Sequence, residues 1–485
     1  MARSRRARRL AVASAPAPAA APPRPAAPPR ARIADIPPLR YALYVAAAAV
    51  VHGVLWYLQS QGLRFHVPPG PTWAPHASLL AGMVLVRVFA RHGRRVALIV
   101  GILMMVAIVR PTWGAALGGY CLVTWAIARL PLGPLARIGL TLLANAVLPA
   151  IRAGLLGPEL ASPLRAGPAT ILWPVLLVRG LMYQMEVGRL LPEERGFLCY
   201  LGSYAAIPLS GGGMLPPITY RRFIGDYGTA DAERNVRAGL GLMALGALYL
   251  WLRPTLIAPW GGQVLSALGS AGVAGALDGA LLARGRGAVG LALALVQVER
   301  YLTIAGFTFY MIGNLRLLGF NLASGYHYPF ISRSFVDLWQ RTNFYLRECQ
   351  LVLYYVPVAK VLRRRWGQRG QRLTAGIAAT AAIVGHLAVA IFLNHLIVAG
   401  WGSPDGMHRL LLDAGRFAVI GGLTILSVVR LRRIDHTMQV SWPRRIWQTV
   451  FVVSIAATNL AVWELMMMRL TWAQTLQVFR FVVGV

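Results

Sequence analysis

Residues 373–399 read LTAGIAATAAIVGHLAVAIFLNHLIVA and contain no Asp, Glu, Lys or Arg. An α-helix rises about 1.5 Å per residue, so about 20 apolar residues cross the roughly 30 Å hydrocarbon core of a bilayer. In lipid the backbone polar groups must bond within their own segment, and for a run of this length that requirement favours a helix. The stretch therefore predicts one helical membrane crossing.

The same pattern recurs along the whole chain. Apolar runs of about 15 to 25 residues, the length expected of crossings, fall at 41–58, 76–90, 95–109, 113–130, 136–156, 169–183, 197–210, 236–252, 287–318, 344–362, 373–399, 414–429 and 446–467, followed by an amphipathic or spanning stretch at 471–485. Several runs are short, so we predict about 11 crossings. The fold class is an all-α polytopic membrane protein.

Composition supports a membrane protein over a soluble one. The chain is 57% hydrophobic and 13% charged, whereas soluble domains carry about 25% charged residues. Its net charge of +33 comes from 49 Lys+Arg against 16 Asp+Glu. Because the arginines lie between apolar runs, this charge indicates membrane topology and no nucleic-acid partner.

The distribution of arginine also predicts orientation. Basic connections occur at 91–95, 220–236, 363–372 and 430–445, whereas 59–75 and 400–408 carry almost no Lys or Arg. Cytosolic loops are the basic ones, so we expect a cytosolic N-terminus and a location in the bacterial cytoplasmic membrane. Residues 1–40 are rich in Arg, Ala and Pro and are predicted to form a disordered cytosolic arm.

Histidines inside apolar runs are candidate functional residues, because ionisable groups are costly in a membrane. His386 and His395 lie in the run 373–399. Nine residues of helix correspond to about 900° of rotation, so the two side chains face opposite sides. At most one of them lines a given cavity. The three cysteines, Cys121, Cys199 and Cys349, are too far apart for a disulfide framework or a metal motif and are expected in core packing.

The segment before this run contains a set of ordered motifs. Residues 319–320 read GF, 329–334 read PFISRS and 338–343 read LWQRTN, and His386 lies 43 residues beyond Asn343. Upstream, 206–223 read AIPLSGGGMLPPITYRRF, and 305–307 read AGF. This ordered set resembles the signature of the membrane-bound O-acyltransferase family over roughly 197–400. The chain departs from the family signature at three places. Gly385-His386-Leu387 replaces Trp-His-Gly, Thr303 replaces a common Asp, and Thr342-Asn343 replaces Trp-His.

The resemblance implies a division of the chain and a set of roles. Transmembrane helices at 41–196 and 401–485 would flank a catalytic core at 197–400, with a central tunnel. His386 would be the catalytic general base, and Asn343 would assist it or cap a helix. Trp339, Arg341 and Arg333 would contact substrate, with anchoring at the membrane interface as the alternative for Trp339 and Arg341.

The resemblance also implies the substrates and partners. The acyl donor would be a coenzyme A thioester or an acyl carrier protein, and the acceptor a hydroxyl of a cell-surface glycan or a membrane lipid. No bound cofactor or metal is expected, and an accessory protein of the same pathway is a possible partner. Three alternatives stay open: a transporter or flippase, an inactive member of the same fold acting in assembly, and a membrane glycosyltransferase, for which the chain has few carboxylates.

Overall fold

The computed structural model consists of helices throughout its described part. It describes residues 33–60, 74–88, 111–152, 169–190, 192–200, 232–253, 255, 258–319, 322–326, 328–342, 347–348, 350–367, 370–386, 404–430, 441–467 and 470–484. Within these residues the α-helices are α1 Pro38–Ser60, α2 Ala74–Val88, α3 Pro111–Ile127, α4 Pro134–Arg152, α5 Ala169–Glu186, α6 Phe197–Tyr200, α7 Ala232–Leu252, α8 Ala258–Val273, α9 Leu277–Arg284, α10 Arg286–Leu317, α11 Phe335–Thr342, α12 Val356–Trp366, α13 Gln371–His386, α14 Pro404–Arg430, α15 Trp442–Met467 and α16 Trp472–Val483. A π-helical turn, Leu351–Tyr355, leads into α12.

Four of the described helices are long and apolar enough to cross a membrane: Pro38–Ser60, Ala232–Leu252, Arg286–Leu317 and the Trp442–Trp463 part of α15. Their apolar surface is turned outward. The Trp442–Trp463 stretch has a mean hydropathy of 1.5, yet only 11% of it is buried inside the protein. Soluble proteins rarely leave large apolar patches in water, so these faces are lipid-facing. The chain is an all-α integral membrane protein.

The predicted runs agree with the helices over most of the described chain. The runs 41–58, 76–90, 236–252 and 287–318 correspond to α1, α2, α7 and α10. The runs 95–109 and most of 197–210, together with the motif at 206–223, lie outside the described residues. Of the predicted run 373–399, α13 covers the part up to His386.

Helices α8 and α9, together with the short α11, lie outside the predicted runs. The sequence of α8, APWGGQVLSALGSAGV, is diluted by glycine and serine, so it does not stand out as a continuous apolar run. Its small residues allow close packing instead. At Gly272 an added Cβ would overlap the side chain of Leu470, which precedes α16.

The centre of the molecule is an antiparallel pair formed by α7 and α10. At one level Gly239 faces Gly313, and a Cβ on Gly313 would lie 2.6 Å from the Gly239 carbonyl oxygen. At a second level Gly246 faces Gly306, and a Cβ on Gly246 would lie 2.5 Å from the Gly306 carbonyl oxygen. On each helix the two glycines are seven residues apart, which keeps them on one face. We call these two levels the glycine contacts.

The N-terminal helices α1 and α2 pack on this pair. The Tyr41 hydroxyl lies 3.0 Å from the Met83 carbonyl oxygen and 3.2 Å from that of Leu317, and the Tyr44 hydroxyl donates to the Glu233 carboxylate at 2.9 Å. These contacts bring together the start of α1, the start of α7 and the end of α10. All three therefore lie at one face of the protein.

The remaining described helices surround this centre. The buried apolar side chains that join α8, α9, α15 and α16 to the first half of α10 are Leu265, Leu268, Leu277, Leu281, Val289, Ala292, Leu293, Val296, Ala461, Leu465 and Val478. Helices α3, α4 and α5 pack on one another, and α13 packs on α12 and α14. Cys121 on α3 is fully buried without a disulfide, which confirms its predicted core position; the side chains of Cys199 and Cys349 lie outside the description.

Candidate functional site

His386 is the last described residue of α13, and the description does not extend to its imidazole. The preceding residue, Gly385, brings the end of this helix close to an aromatic ring. A Cβ at Gly385 would lie 2.5 Å from Cδ1 of Tyr354, so only a glycine fits there without displacement of the ring. Helix α13 therefore meets the π-helical turn Leu351–Tyr355 at its His386 end.

The short helix α11 contains two of the predicted substrate-binding residues, and its start is organised by Asp337. The Ser334 hydroxyl oxygen accepts a hydrogen bond from the Asp337 backbone N–H at 3.0 Å, which is the usual role of an N-cap serine. The Asp337 carboxylate accepts from the Arg333 backbone N–H at 3.0 Å. Ser334 therefore caps the start of α11.

Arg341 is bound to the same carboxylate. Its Nε lies 2.7 Å from Asp337 Oδ1, one turn away on α11, and the Asp337 side chain is only 5% exposed. A charge-assisted bond to a buried carboxylate is strong and fixes the guanidinium. Arg341 therefore helps to hold α11 and the residues before it in shape. The Arg333 side chain is exposed, and only its main chain contributes to this network.

Trp339 connects α11 to the next segment. Its indole N–H donates to Gln350 Oε1 at 2.9 Å, and Gln350 is 3% exposed. Gln350 precedes the π-helical turn, and Tyr354 lies four residues later, about one turn along. Trp339 and the His386 end of α13 thus contact the same segment at adjacent turns. Asn343 lies outside the described residues.

The loop before α11 is held on α10 by aromatic rings. Tyr301 on α10 packs edge to face on Phe330, with ring centroids 4.5 Å apart, and contacts Tyr326 at 6.1 Å. Edge-to-face pairs at such separations are favourable. Tyr328 adopts a left-handed conformation, with φ of 51°, directly before Pro329. The loop, α11 and the π-helical turn are therefore connected to the central helix pair.

A second polar cluster, not predicted from the sequence, lies between α1, α2 and α10. His52 Nδ1 is 2.8 Å from His76 Nδ1, and the Tyr310 hydroxyl oxygen is 2.8 Å from His52 Nδ1 and 3.0 Å from His76 Nδ1. We call these three side chains the His52–His76–Tyr310 triad. His52 is 1% exposed, His76 9% and Tyr310 7%.

The outer nitrogens of both imidazoles also have partners. His52 Nε2 lies 2.9 Å from Asn314 Oδ1, and His76 Nε2 lies 3.2 Å from Gln59 Oε1. The rule that singles out intramembrane histidines applies equally to His52, which lies within the predicted run 41–58. The rule does not identify the triad, because its members come from three separate helices.

Comparisons with known proteins do not assign a function to these residues. No model of a known protein family matches the chain, and no curated protein matches it. Within the described residues no group of three or more His, Cys, Asp or Glu side chains is placed to hold a metal ion. The functional argument therefore depends on the residue pattern and on the contacts described above.

Proposed function

We propose that this chain is a membrane-bound O-acyltransferase. It moves an acyl group from a cytosolic thioester, either a coenzyme A thioester or an acyl carrier protein, to a hydroxyl of a cell-surface glycan or lipid. His386 is the general base. The proposal includes about 11 crossings, a cytosolic N-terminus in a bacterial inner membrane, and a tunnel through the core 197–400.

One observation carries the proposal. The linker that resembles the family signature and the His386 end of α13 meet on the same segment: Trp339 bonds to Gln350, and Gly385 packs on Tyr354. A general base works only if it lies within hydrogen-bond reach of the proton that it removes. An arrangement that brings the two sequence motifs together is what this chemistry requires.

The proposed reaction requires only the two substrates and residues of the chain. The neutral imidazole of His386 takes the proton from the acceptor hydroxyl, and the oxygen attacks the thioester carbonyl carbon. The carbon–sulfur bond of the resulting tetrahedral species then breaks, and the thiolate leaves with the proton from the imidazolium. The Asn343 amide donates a hydrogen bond to the oxyanion or orients the hydroxyl.

The test is acyl transfer by the purified full-length protein in lipid nanodiscs. The probes are acetyl- and palmitoyl-coenzyme A labelled in the acyl group, with cell-envelope glycan and lipid fractions as acceptors. General-base catalysis contributes about 10²–10⁴-fold, so His386→Ala is expected to lose transfer by that factor while remaining folded and inserted. His395→Ala is the matched control, because it makes the same change on the opposite face of the predicted helix.

Two results would contradict the proposal. One is retained turnover in His386→Ala, and the other is an equal loss in His395→Ala. A liposome flux assay on the same preparations separates acyl transfer from the transporter or flippase alternative, since a transporter moves unmodified substrate without release of coenzyme A.

A further inference from the structure

The His52–His76–Tyr310 triad places three heteroatoms at the corners of a small triangle. The two imidazole nitrogens are 2.8 Å apart, and the Tyr310 oxygen is 2.8 Å from one and 3.0 Å from the other. All three atoms lie within hydrogen-bond distance of one another between α1, α2 and α10. Nitrogen and oxygen atoms that lie this close together in an apolar environment must share protons or bind a cation.

The hydrogen bonds on the outer side indicate which nitrogens carry protons. The Asn314 amide N–H donates to the Tyr310 carbonyl oxygen at 2.9 Å, so the amide oxygen of Asn314 faces His52 Nε2, which must donate. His76 Nε2 likewise faces an amide oxygen, that of Gln59. In a neutral imidazole one nitrogen donates and the other accepts. Both Nδ1 atoms then present lone pairs to each other.

The phenol cannot satisfy both lone pairs. Tyr310 has one hydroxyl proton, and two acceptor nitrogens 2.8 Å apart repel each other unless a positive charge lies between them. Buried polar groups left without a partner are costly. A cation bound by all three atoms would satisfy both lone pairs and the phenol oxygen.

The dimensions of the triangle match those of a metal site. Metal–nitrogen bonds to histidine are about 2.0–2.1 Å long, so two ligands on one ion are about 2.9 Å apart at the right angles of octahedral coordination and about 3.3 Å apart at tetrahedral angles. The observed separations of 2.8, 2.8 and 3.0 Å correspond to three neighbouring positions on one ion. Histidine ligands also usually donate their other N–H to a carbonyl or carboxylate oxygen, as His52 and His76 do here.

We propose that the His52–His76–Tyr310 triad binds a divalent first-row transition-metal ion. Imidazole nitrogens favour zinc, copper, iron and nickel, whereas calcium and magnesium prefer oxygen ligands. On binding, Tyr310 loses its hydroxyl proton to water and forms the metal–oxygen bond, which lowers the charge of the buried site by one. His76 lies two residues after the start of α2.

The test begins with the metal content of the full-length protein, purified through a tag without histidine. Elemental mass spectrometry is expected to find about one transition-metal ion per chain, and His52→Ala and His76→Ala are expected to retain less than about a tenth of it. Tyr310→Phe and Tyr41→Phe form a matched pair. Both remove a buried hydroxyl between the same helices, but the Tyr41 hydroxyl donates to backbone carbonyls, so only Tyr310→Phe is expected to lower the metal content.

Binding and stability provide a second measurement. The protein stripped with a chelator is expected to show cobalt d–d absorption on addition of Co²⁺, and Asn314→Leu is expected to weaken this binding by roughly 10–100-fold. The chelator is expected to lower the Tm of the wild type and of Tyr41→Phe, and to leave that of His76→Ala unchanged.

A protein that purifies without metal and binds neither Co²⁺ nor Zn²⁺ would overturn the proposal, and so would equal metal content in His52→Ala and the wild type. The cluster would then be closed by a shared proton or by an uncharged hydrogen-bond network. Tyr310 lies within the core 197–400 but His52 and His76 lie outside it, and none of the three takes part in the proposed acyl transfer, so metal content and acyl transfer are measured independently.

Discussion

At the scale of single residues, Asp337 binds several groups of the linker at once. Its carboxylate accepts from the Arg333 main chain and the Arg341 side chain, and its own N–H is capped by Ser334. It is only 4% exposed. The sequence alone does not indicate that Arg341 is committed to this carboxylate.

We expect Asp337→Asn to loosen the linker. The change removes the negative charge that Arg341 binds, and hydrogen bonds to charged groups contribute about 1.5–3 kcal/mol. Thermal unfolding in detergent is expected to show a lower apparent Tm. Arg333→Ala is the control, because its exposed side chain lies outside the network, and it is expected to stay within about 0.5 kcal/mol of the wild type. Equal Tm values for Asp337→Asn and the wild type would contradict a structural role for this network.

At the scale of elements, the glycine contacts determine how closely α7 and α10 approach. At Gly246 a Cβ would lie 2.5 Å from both the Gly306 oxygen and the Tyr310 nitrogen, which are backbone atoms. Such atoms cannot move aside as the end of a flexible side chain does. Small residues at helix crossings are the common means of close packing in membranes.

We therefore expect Gly246→Ala to destabilise the protein by about 1–3 kcal/mol, the usual cost of overpacking. Gly241 lies on the same helix with nothing within 4 Å of its position for a Cβ. Alanine is preferred over glycine in a helix by about 1 kcal/mol, so Gly241→Ala is expected to be neutral or stabilising. Apparent unfolding temperatures in one detergent measure both. A Gly246→Ala protein as stable as Gly241→Ala would show that the two backbones are further apart.

The sequence predicts which segments form helices better than it predicts which helices contact one another. The bounds of α1, α7 and α10 follow from continuous apolar runs, because hydropathy along the chain is a local property. Helix α8 is missed, since its glycines and serines lower the local hydropathy although they improve its packing. The contact between Gly246 and Gly306, which are 60 residues apart in the chain, depends on the register in which α7 and α10 pack.

The same difference between local and long-range features applies to the candidate functional residues. His386 is identified because an intramembrane histidine is locally unusual and lies at a fixed distance from a motif. The His52–His76–Tyr310 triad is missed because Tyr310 is 258 residues from His52. Only the packing of α10 on α1 and α2 brings them together.

At the scale of the whole molecule, contacts between helix ends test the predicted topology. Tyr44 near the start of α1 bonds to Glu233 at the start of α7, and Tyr41 bonds to Leu317 at the end of α10. The start of α1, the start of α7 and the end of α10 therefore lie at one end of the helix bundle. The proposed orientation requires that this end face the cytosol.

We expect cysteine labelling to divide the connections accordingly. In a chain whose native cysteines are replaced by alanine, Phe65→Cys is expected to react with an impermeant maleimide in intact cells, because 59–75 is predicted to lie outside. Gln368→Cys, in the basic connection 363–372, is expected to react only after permeabilisation. Labelling of both positions from the same side would contradict the predicted orientation.

The contact between α7 and α10 also limits the routes by which lipids and substrates travel. Where the backbones of α7 and α10 touch at two levels, no acyl chain fits between the two helices. Lipids of the bilayer therefore cannot diffuse laterally into the protein through this contact. Any portal through which a fatty tail or a lipid-linked alcohol enters the protein interior must open between other helices.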